Sequence, residues 1–282
     1  MRSLIATLAL VMALLVPAAV QAFDEAKYPD WKGQWRRAEP GPPRYDTGRP
    51  LAEQQAPLTE KYKLAHAGSL ADQAAGGQGN DPTYTCIAPG MPRIMNVYDP
   101  MEIVITPDAT HILIQHVHDS RRIFTDGRDW PDQPDNLEPT FSGYSIGRWI
   151  DTDGDGRYDL LEIETRLLRG PRVFDATGLP LHEDNQTIVK ERIYPDKSNP
   201  DTIVNEIVTI DNALTRPWSA SRVFQRVVTN KPIWWDHSVC GEGNAHVGIG
   251  KEVYYLNGDG LLMPAMKDQP PPDLRYFKQY HR

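Results

Sequence analysis

The sequence predicts an all-β fold, mainly antiparallel: a lipocalin-like β-barrel or sandwich with a short N-terminal helix and long loops. Three observations carry this. After Cys86 apolar and polar residues alternate with a period of two, the signature of half-buried strands. The alternating runs are separated by short stretches of Asp, Gly, Asn and Pro, which supply turns. No long helical pattern alternates with the strands, so a parallel α/β sheet is excluded.

In chain order, residues 1–22 read as a secretory signal peptide. One Arg precedes an apolar run from Leu4 to Val16, and Val20 and Ala22 are the small residues expected before a cleavage site. The apolar run is shorter than a bilayer requires, and no later segment is a candidate span. The expected location is therefore periplasmic or extracellular. Residues 23–82 form an N-terminal extension rich in Pro, Gly, Ala and Gln. Within it "DWKGQW" starts a strand anchored by Trp31 and Trp35, and "RRAEPGPPRYDTGRP" is an extended linker. "PLTEKYKLAHAGSLADQAA" predicts a helix starting at Thr59, with Leu58, Tyr62, Leu64 and Leu70 as its apolar positions.

Residues 83–282 hold the barrel domain. Strands are expected at Ile103–Thr106, His111–His118, Phe141–Ile150, Asp159–Thr165, Thr187–Tyr194, Thr202–Ile210, Ser219–Val228 and Val247–Leu256. A meander of about eight strands can close around a cavity holding one small ligand.

The chain has 30 basic against 38 acidic residues, net −8, and one unit more negative once Arg2 leaves with the leader. This balance argues against nucleic acid, whose phosphates reward a basic stripe. Cys86 and Cys240 are the two cysteines. In an oxidising compartment such a pair most simply forms one disulfide, worth about 4 kcal/mol in the chain-entropy model. A nucleophilic thiol or a metal ligand is the competing role.

"DTDGDGRYDLLE" (Asp151–Glu162) satisfies the calcium-loop pattern D-x-[DN]-x-[DN]-G-x5-E. An EF-hand needs a helix on each side, yet both flanks here read as strands. The stretch is better placed at the tip of a β-hairpin. Asp151, Asp153, Asp155, Asp159 and Glu162 remain candidate ligands for a structural Ca2+; pure turn usage is the alternative.

Other chemistry concentrates in a few segments. His116 and His118 form an H-x-H pair that could line a pocket or hold a transition metal, or could simply face solvent. Arg121, Arg122, Asp126 and Arg128 surround a Gly turn; an Arg–Asp pair there locks a loop or orients an anionic or phenolic substrate. Glu191, Glu206 and Glu242, with His182, are candidate acids and bases, because a carboxylate among apolar neighbours is costly unless paired or protonated. Alternation in "TIVKERIY" and "TIVNEIVTI" reads as turning Glu191 and Glu206 inward; the alternative is that both face outward as ordinary solvated glutamates. Tyr144, Trp149, Tyr194 and Trp218 suit an aromatic-lined pocket or a plain β core. The G-x-S-x-G elbow, Walker loop, H-E-x-x-H and G-x-G-x-x-G are absent, which disfavours serine hydrolases, NTPases, zincins and nicotinamide enzymes.

The motifs "RRIFTDGR", "GYSIGRW", "GLPLH", "ALTRPW" and "CGEGN" resemble those of a family of exported β-barrel-like proteins of proteobacteria and fungi, over roughly Thr83 to Phe277. The Gly33-Gln34-Trp35 triplet is similar to the G-x-W entry of lipocalin-type barrels. The resemblance extends to secreted enzymes that cleave lignin-type aryl ethers by adding water. It implies Arg121, Arg122, Asp126, His182, Glu191, Glu206 and Glu242 as the working residues. The expectation is then a secreted hydrolase or lyase using acid–base chemistry on a small aromatic, plant-derived compound, with no cofactor needed for the chemistry. The rival is a non-catalytic lipocalin-like carrier of a small aromatic ligand, stabilised by calcium; a third role is a matrix component bound through the calcium loop. An oligomer is compatible with either.

Overall fold

The structure, a computed structural model, describes residues 23–38, 55–85, 87–97, 99–115, 119–132, 137–170, 172–181, 184–230, 246–249, 252–256 and 261–271. The leader, the proposed disulfide Cys86–Cys240, the pair His116 and His118, and His182 and Glu242 lie outside the described residues.

Nine strands close into a barrel: β1 (Gln34–Arg37), β2 (Met101–Ile105), β3 (Ala109–Ile114), β4 (Asp119–Phe124), β5 (Tyr144–Ile150), β6 (Leu160–Arg166), β9 (Ile188–Asp196), β10 (Asn199–Ile210) and β11 (Trp218–Arg226). Around the barrel the order is β1-β11-β10-β9-β6-β5-β4-β3-β2, and β1 pairs with β2 to complete it. Neighbours run antiparallel except β4 and β5, which are parallel. A parallel pair needs a crossover, and the long connection from Thr125 to Gly143 supplies one. Two short strands, β7 (Arg172–Val173) and β8 (Pro180–Leu181), form a ribbon; β12 (His246–Ile249), β13 (Glu252–Leu256) and β14 (Leu262–Pro264) form a separate small sheet. Among the described residues no helix is long and apolar enough to cross a membrane.

The expected alternation builds the core. Ile112, Ile123, Leu161, Val189, Ile203 and Phe224 turn inward from six different strands and share one apolar cluster. The segment Met91–Val97 is buried throughout, and its Met91, Ile94, Met95 and Val97 join that cluster as a plug. The extension 23–82 also contributes a barrel strand. Gly33 takes φ +87°, a conformation that favours glycine, and turns the chain into β1. Trp35 follows, wholly buried, donating from Nε1 to the Trp31 carbonyl at 2.9 Å. The Arg226 guanidinium lies 4.4 Å from the Trp35 ring and donates to the carbonyls of Asp30 (2.8 Å) and Lys32 and to Asp201 at 2.8 Å. One arginine therefore fastens the first strand to the last.

Three expectations need correction. The run "DSRRIF", not among the expected strands, is β4; adjacent arginines hid its alternation. The single strand expected at Val247–Leu256 is two, β12 and β13, paired as a hairpin. The helix α1 (Glu60–Ala74) does follow Thr59, but Leu64 is 76 % exposed and its buried residue is Ser69. It docks through polar groups: Ser69 Oγ donates to the Thr177 carbonyl (2.9 Å), Gln73 Nε2 to the Ala176 carbonyl (2.8 Å), and His66 meets Thr177 Oγ1 at 2.9 Å.

Candidate functional site

A polar centre sits inside the barrel. Arg121 of β4 points inward between the positions of Asp119 and Ile123, and Glu191 points inward from β9. Arg121 Nη1 donates to Glu191 Oε1 at 3.1 Å and Nη2 to Oε2 at 2.6 Å, and both side chains are 0 % exposed. Asn205 of β10 adds Nδ2 to Glu191 Oε1 at 3.0 Å. Arg121 Nη2 also reaches Thr165 Oγ1 at 3.4 Å, and Thr165 Oγ1 lies 2.8 Å from Ser145 Oγ. Five strands thus meet at one buried ion pair. Taking two charges out of water costs several kcal/mol each, and only bidentate geometry with extra hydrogen bonds offsets it. Among the described residues Arg121 Nε and Asn205 Oδ1 are buried without a hydrogen-bond partner. The centre is thus closely bonded yet keeps one unpaired donor and one unpaired acceptor.

A second polar group anchors the plug. Arg222 of β11 donates from Nε to Asn96 Oδ1; Asn96 Nδ2 donates to the Phe174 carbonyl at 2.8 Å, and Arg37 Nη1 to the Asn96 carbonyl at 2.8 Å. Arg93 binds Asp81 with Nη2–Oδ2 at 2.9 Å. These bonds fix a buried loop whose backbone would otherwise be costly to dry.

Of the described residues named from sequence, only Arg121 and Glu191 come together here. Glu206 is on the outer face, a correction to the inward placement. From Ile203 on, the buried positions of β10 are Ile203, Asn205, Ile207 and Thr209, so parity turns Glu206 outward. There it accepts from Tyr194 Oη at 2.9 Å and lies 3.4 Å from Arg192 Nη1. The Tyr194 pKa is pushed up to about 12 by burial and then by this carboxylate. Arg122 is exposed on the outer side of β4. Asp126 is locked at the surface by Arg128, with Nη2–Oδ2 at 2.6 Å and Nε–Oδ1 at 2.9 Å; the guanidinium holds its carboxyl below the usual range.

The aromatic residues do not line one pocket. Tyr144 sits by Phe124 and Trp130 at the Asp126 loop. Trp149 packs with Tyr28, Trp31 and Tyr158 at another place and donates to Thr110 Oγ1 at 3.2 Å. Trp218 packs against Phe174, with centroids 4.5 Å apart and ring planes tilted by 54°. Aromatic rings fill the places where elements meet, as in a plain β core. An open cleft of about 480 Å3 is lined by Pro29, Asp30, Trp31, Pro195, Pro200, Asp201 and Arg226. None of these residues belongs to the polar centre, and Arg226 is already committed to barrel closure, so the cleft is a junction and the buried centre the better candidate.

The Asp-rich stretch is the tip of the β5–β6 hairpin, Ile150 pairing with Leu160. Carboxylate oxygens of Asp151, Asp153 and Asp155 lie within 4.8 Å of one another. Asp151 accepts from the backbone N–H of Gly154 (2.7 Å) and Gly156 (2.8 Å), which hold its carboxyl below the usual range, Gly156 most. Asp159 instead receives Thr152, with N–Oδ1 at 2.9 Å. Glu162 stands on the outer face of β6, 3.4 Å from Arg192 Nε. The last ligand of an EF-hand loop is carried by its exit helix; here a strand leaves the loop and carries Glu162 away from the cluster.

Sequence reasoning missed Asn205, Thr165 and Ser145, whose only signal was a polar residue recurring on an otherwise apolar strand face. The chain matches no protein-family model and no curated protein.

Proposed function

We propose that this is an exported β-barrel protein that takes a small aromatic, plant-derived compound of the lignin aryl-ether type and acts on it by acid–base hydrolysis or lysis. The observation that carries this reading is the fully buried Arg121–Glu191 pair with Asn205 beside it. Apolar residues of similar volume would hold a barrel together at least as well. A charged centre with unused bonding capacity at Arg121 Nε and Asn205 Oδ1 suits a polar reaction group. In this role Glu191 takes or gives the proton and Arg121 steadies the developing oxyanion. The resemblance in the "RRIFTDGR" and "GLPLH" motifs points to the same substrate class.

One observation favours the rival, a lipocalin-like carrier: both oxygens of Glu191 are already engaged, so a substrate would have to displace Arg121 or Asn205 before the carboxylate could act. In that role the aspartate cluster at the hairpin would hold a structural Ca2+. The deciding experiment compares wild type and Glu191→Gln on an aryl-ether panel, per folded molecule by circular dichroism. An enzyme loses about 10²–10⁴ in rate while retaining ligand affinity within a few-fold. Binding without wild-type turnover supports the carrier. Full activity in Glu191→Gln removes Glu191 from the chemistry.

A further inference from the structure

Arg172 is buried without an evident partner. It opens β7, is 3 % exposed, and among the described residues none of its Nε, Nη1 and Nη2 has a hydrogen-bond partner. Of the three other buried arginines described above, Arg121 and Arg93 each clasp a carboxylate and Arg222 donates to Asn96. Burial pulls the Arg172 pKa down to about 10, with Asp211 nearby working the other way, so the group still carries its charge at neutral pH. An unpaired buried cation is costly, and this one has no neutral form to escape into at that pH.

The surroundings define one end of the barrel. Asp211 receives the Thr187 hydroxyl at 2.5 Å and the Ala213 N–H at 2.7 Å. Two residues before Asp211, on the inner face of β10, is Thr209, wholly buried, whose hydroxyl has no hydrogen-bond partner among the described residues. Thr209 is in register with Trp218, and Trp218 packs against Phe174, two residues beyond Arg172. Leu58, Leu179, Leu214 and Ala220 share one buried apolar cluster with Phe174 and Trp218. Asp211 near Arg172, Thr209 two residues before it, and Trp218 in register with Thr209 lead from the cation to the aromatic pair.

We propose that this end of the barrel binds the carboxylate of a small aromatic acid. The Arg172 fork takes the two oxygens in parallel, the Thr209 hydroxyl donates to one of them, and the Phe174–Trp218 pair packs against the ring. A monoanion fits better than a phosphate, because Asp211 stands beside the cation and would repel a second negative charge. A neutral analogue would leave Arg172 unpaired, so the site discriminates by charge. This rests on the reading that the barrel takes a small aromatic compound, and adds the charged group by which it is held.

The test is calorimetric titration of the full chain with benzoate, 3-phenylpropanoate, their neutral amides and acetate, repeated with Arg172→Met and Thr209→Val. At least one aromatic carboxylate should bind tenfold or more tighter than its amide, and Arg172→Met should abolish that preference. Thr209→Val should weaken it by a smaller factor. Equal binding of acid and amide overturns the carboxylate site while leaving the aromatic reading intact. Binding of acetate as tight as that of the aromatic acids keeps the anion site and removes the aromatic reading. No carboxylate binding at all overturns the proposal. The unliganded melting temperature is a second measure: Arg172→Met should hold or raise it. A fall of several degrees would make Arg172 a structural residue and overturn the proposal.

Discussion

Glu191 and Arg192 are neighbours on β9, yet they belong to opposite electrostatic worlds. Glu191 turns inward to a fully buried, bidentate partner, and Asn205 completes its hydrogen bonding. Arg192 turns outward between Glu162 and Glu206, each at 3.4 Å, with side chains about half exposed (53 % for Arg192, 50 % and 43 % for the two glutamates). The residue types are the same and the strand is the same. What differs is the water. Inside, each charge depends wholly on its partner; outside, solvent and salt can replace it.

The largest effect should therefore come from the inner pair. Glu191→Ala leaves the Arg121 charge buried without its partner and should cost about 3–5 kcal/mol in urea unfolding. Arg121→Met combined with Glu191→Leu should recover most of that loss, because the pair is costly to desolvate in the first place. A cost below about 1 kcal/mol for Glu191→Ala would mean that the interior is wet, and the contrast would collapse.

The hairpin tip is an exposed cluster of like charges. If Ca2+ binds at Asp151, Asp153 and Asp155 with a Kd of about 10⁻⁴–10⁻³ M, as in extracellular modules, then calcium at tenfold that concentration should add about 1.4 kcal/mol. Chelator should remove the gain in a melting experiment, and Asp153→Ala with Asp155→Ala should make the protein insensitive to both. Melting that ignores calcium and chelator alike would leave the loop as a turn closed by Asp151 on Gly154 and Gly156.

The outer ion pairs should matter less again. Arg192→Ala should cost under about 1 kcal/mol, and the difference from wild type should fade near 1 M salt. A salt-independent loss as large as that of Glu191→Ala would erase the distinction between the faces.

The barrel was legible because its strands alternate, and the alternation placed Glu191 correctly. It failed for Glu206 because β10 carries apolar residues on both faces: Val204 and Val208 balance Ile203 and Ile207, and only the fold decides that Asn205 is inside. β4 was illegible for a related reason, since Arg121 occupies an inward position that patterning reserves for apolar residues. The polar docking of α1 through Ser69 and Gln73 has no periodic signal at all. Arg172 is a third kind of case. Its two-residue strand carries no pattern, and its isolation arises from residues far away in sequence, Asp211 and Thr209 among them.

The smallest effect should lie in the alkaline limb of stability. Tyr194 donates to Glu206 on the outer face, and its pKa stands at about 12 against an ordinary 10.0. The protonated phenol is the form that the fold favours. Its contribution is thus complete below pH 10 and is lost as pH rises through about 12, because ionisation removes the donor and sets two negative charges side by side. Wild type and Tyr194→Phe should accordingly lose stability at different rates across that window, the phenylalanine variant the more slowly, in paired melting curves. Glu206→Gln should shrink the difference while leaving the part due to burial, which is the larger cause. Tyr28, raised by burial and by Tyr158, titrates in both proteins and cancels in the comparison. Parallel curves for wild type and Tyr194→Phe from neutral pH to beyond 12 would mean that water already replaces the Glu206 contact, making the outer face even weaker than its distances suggest.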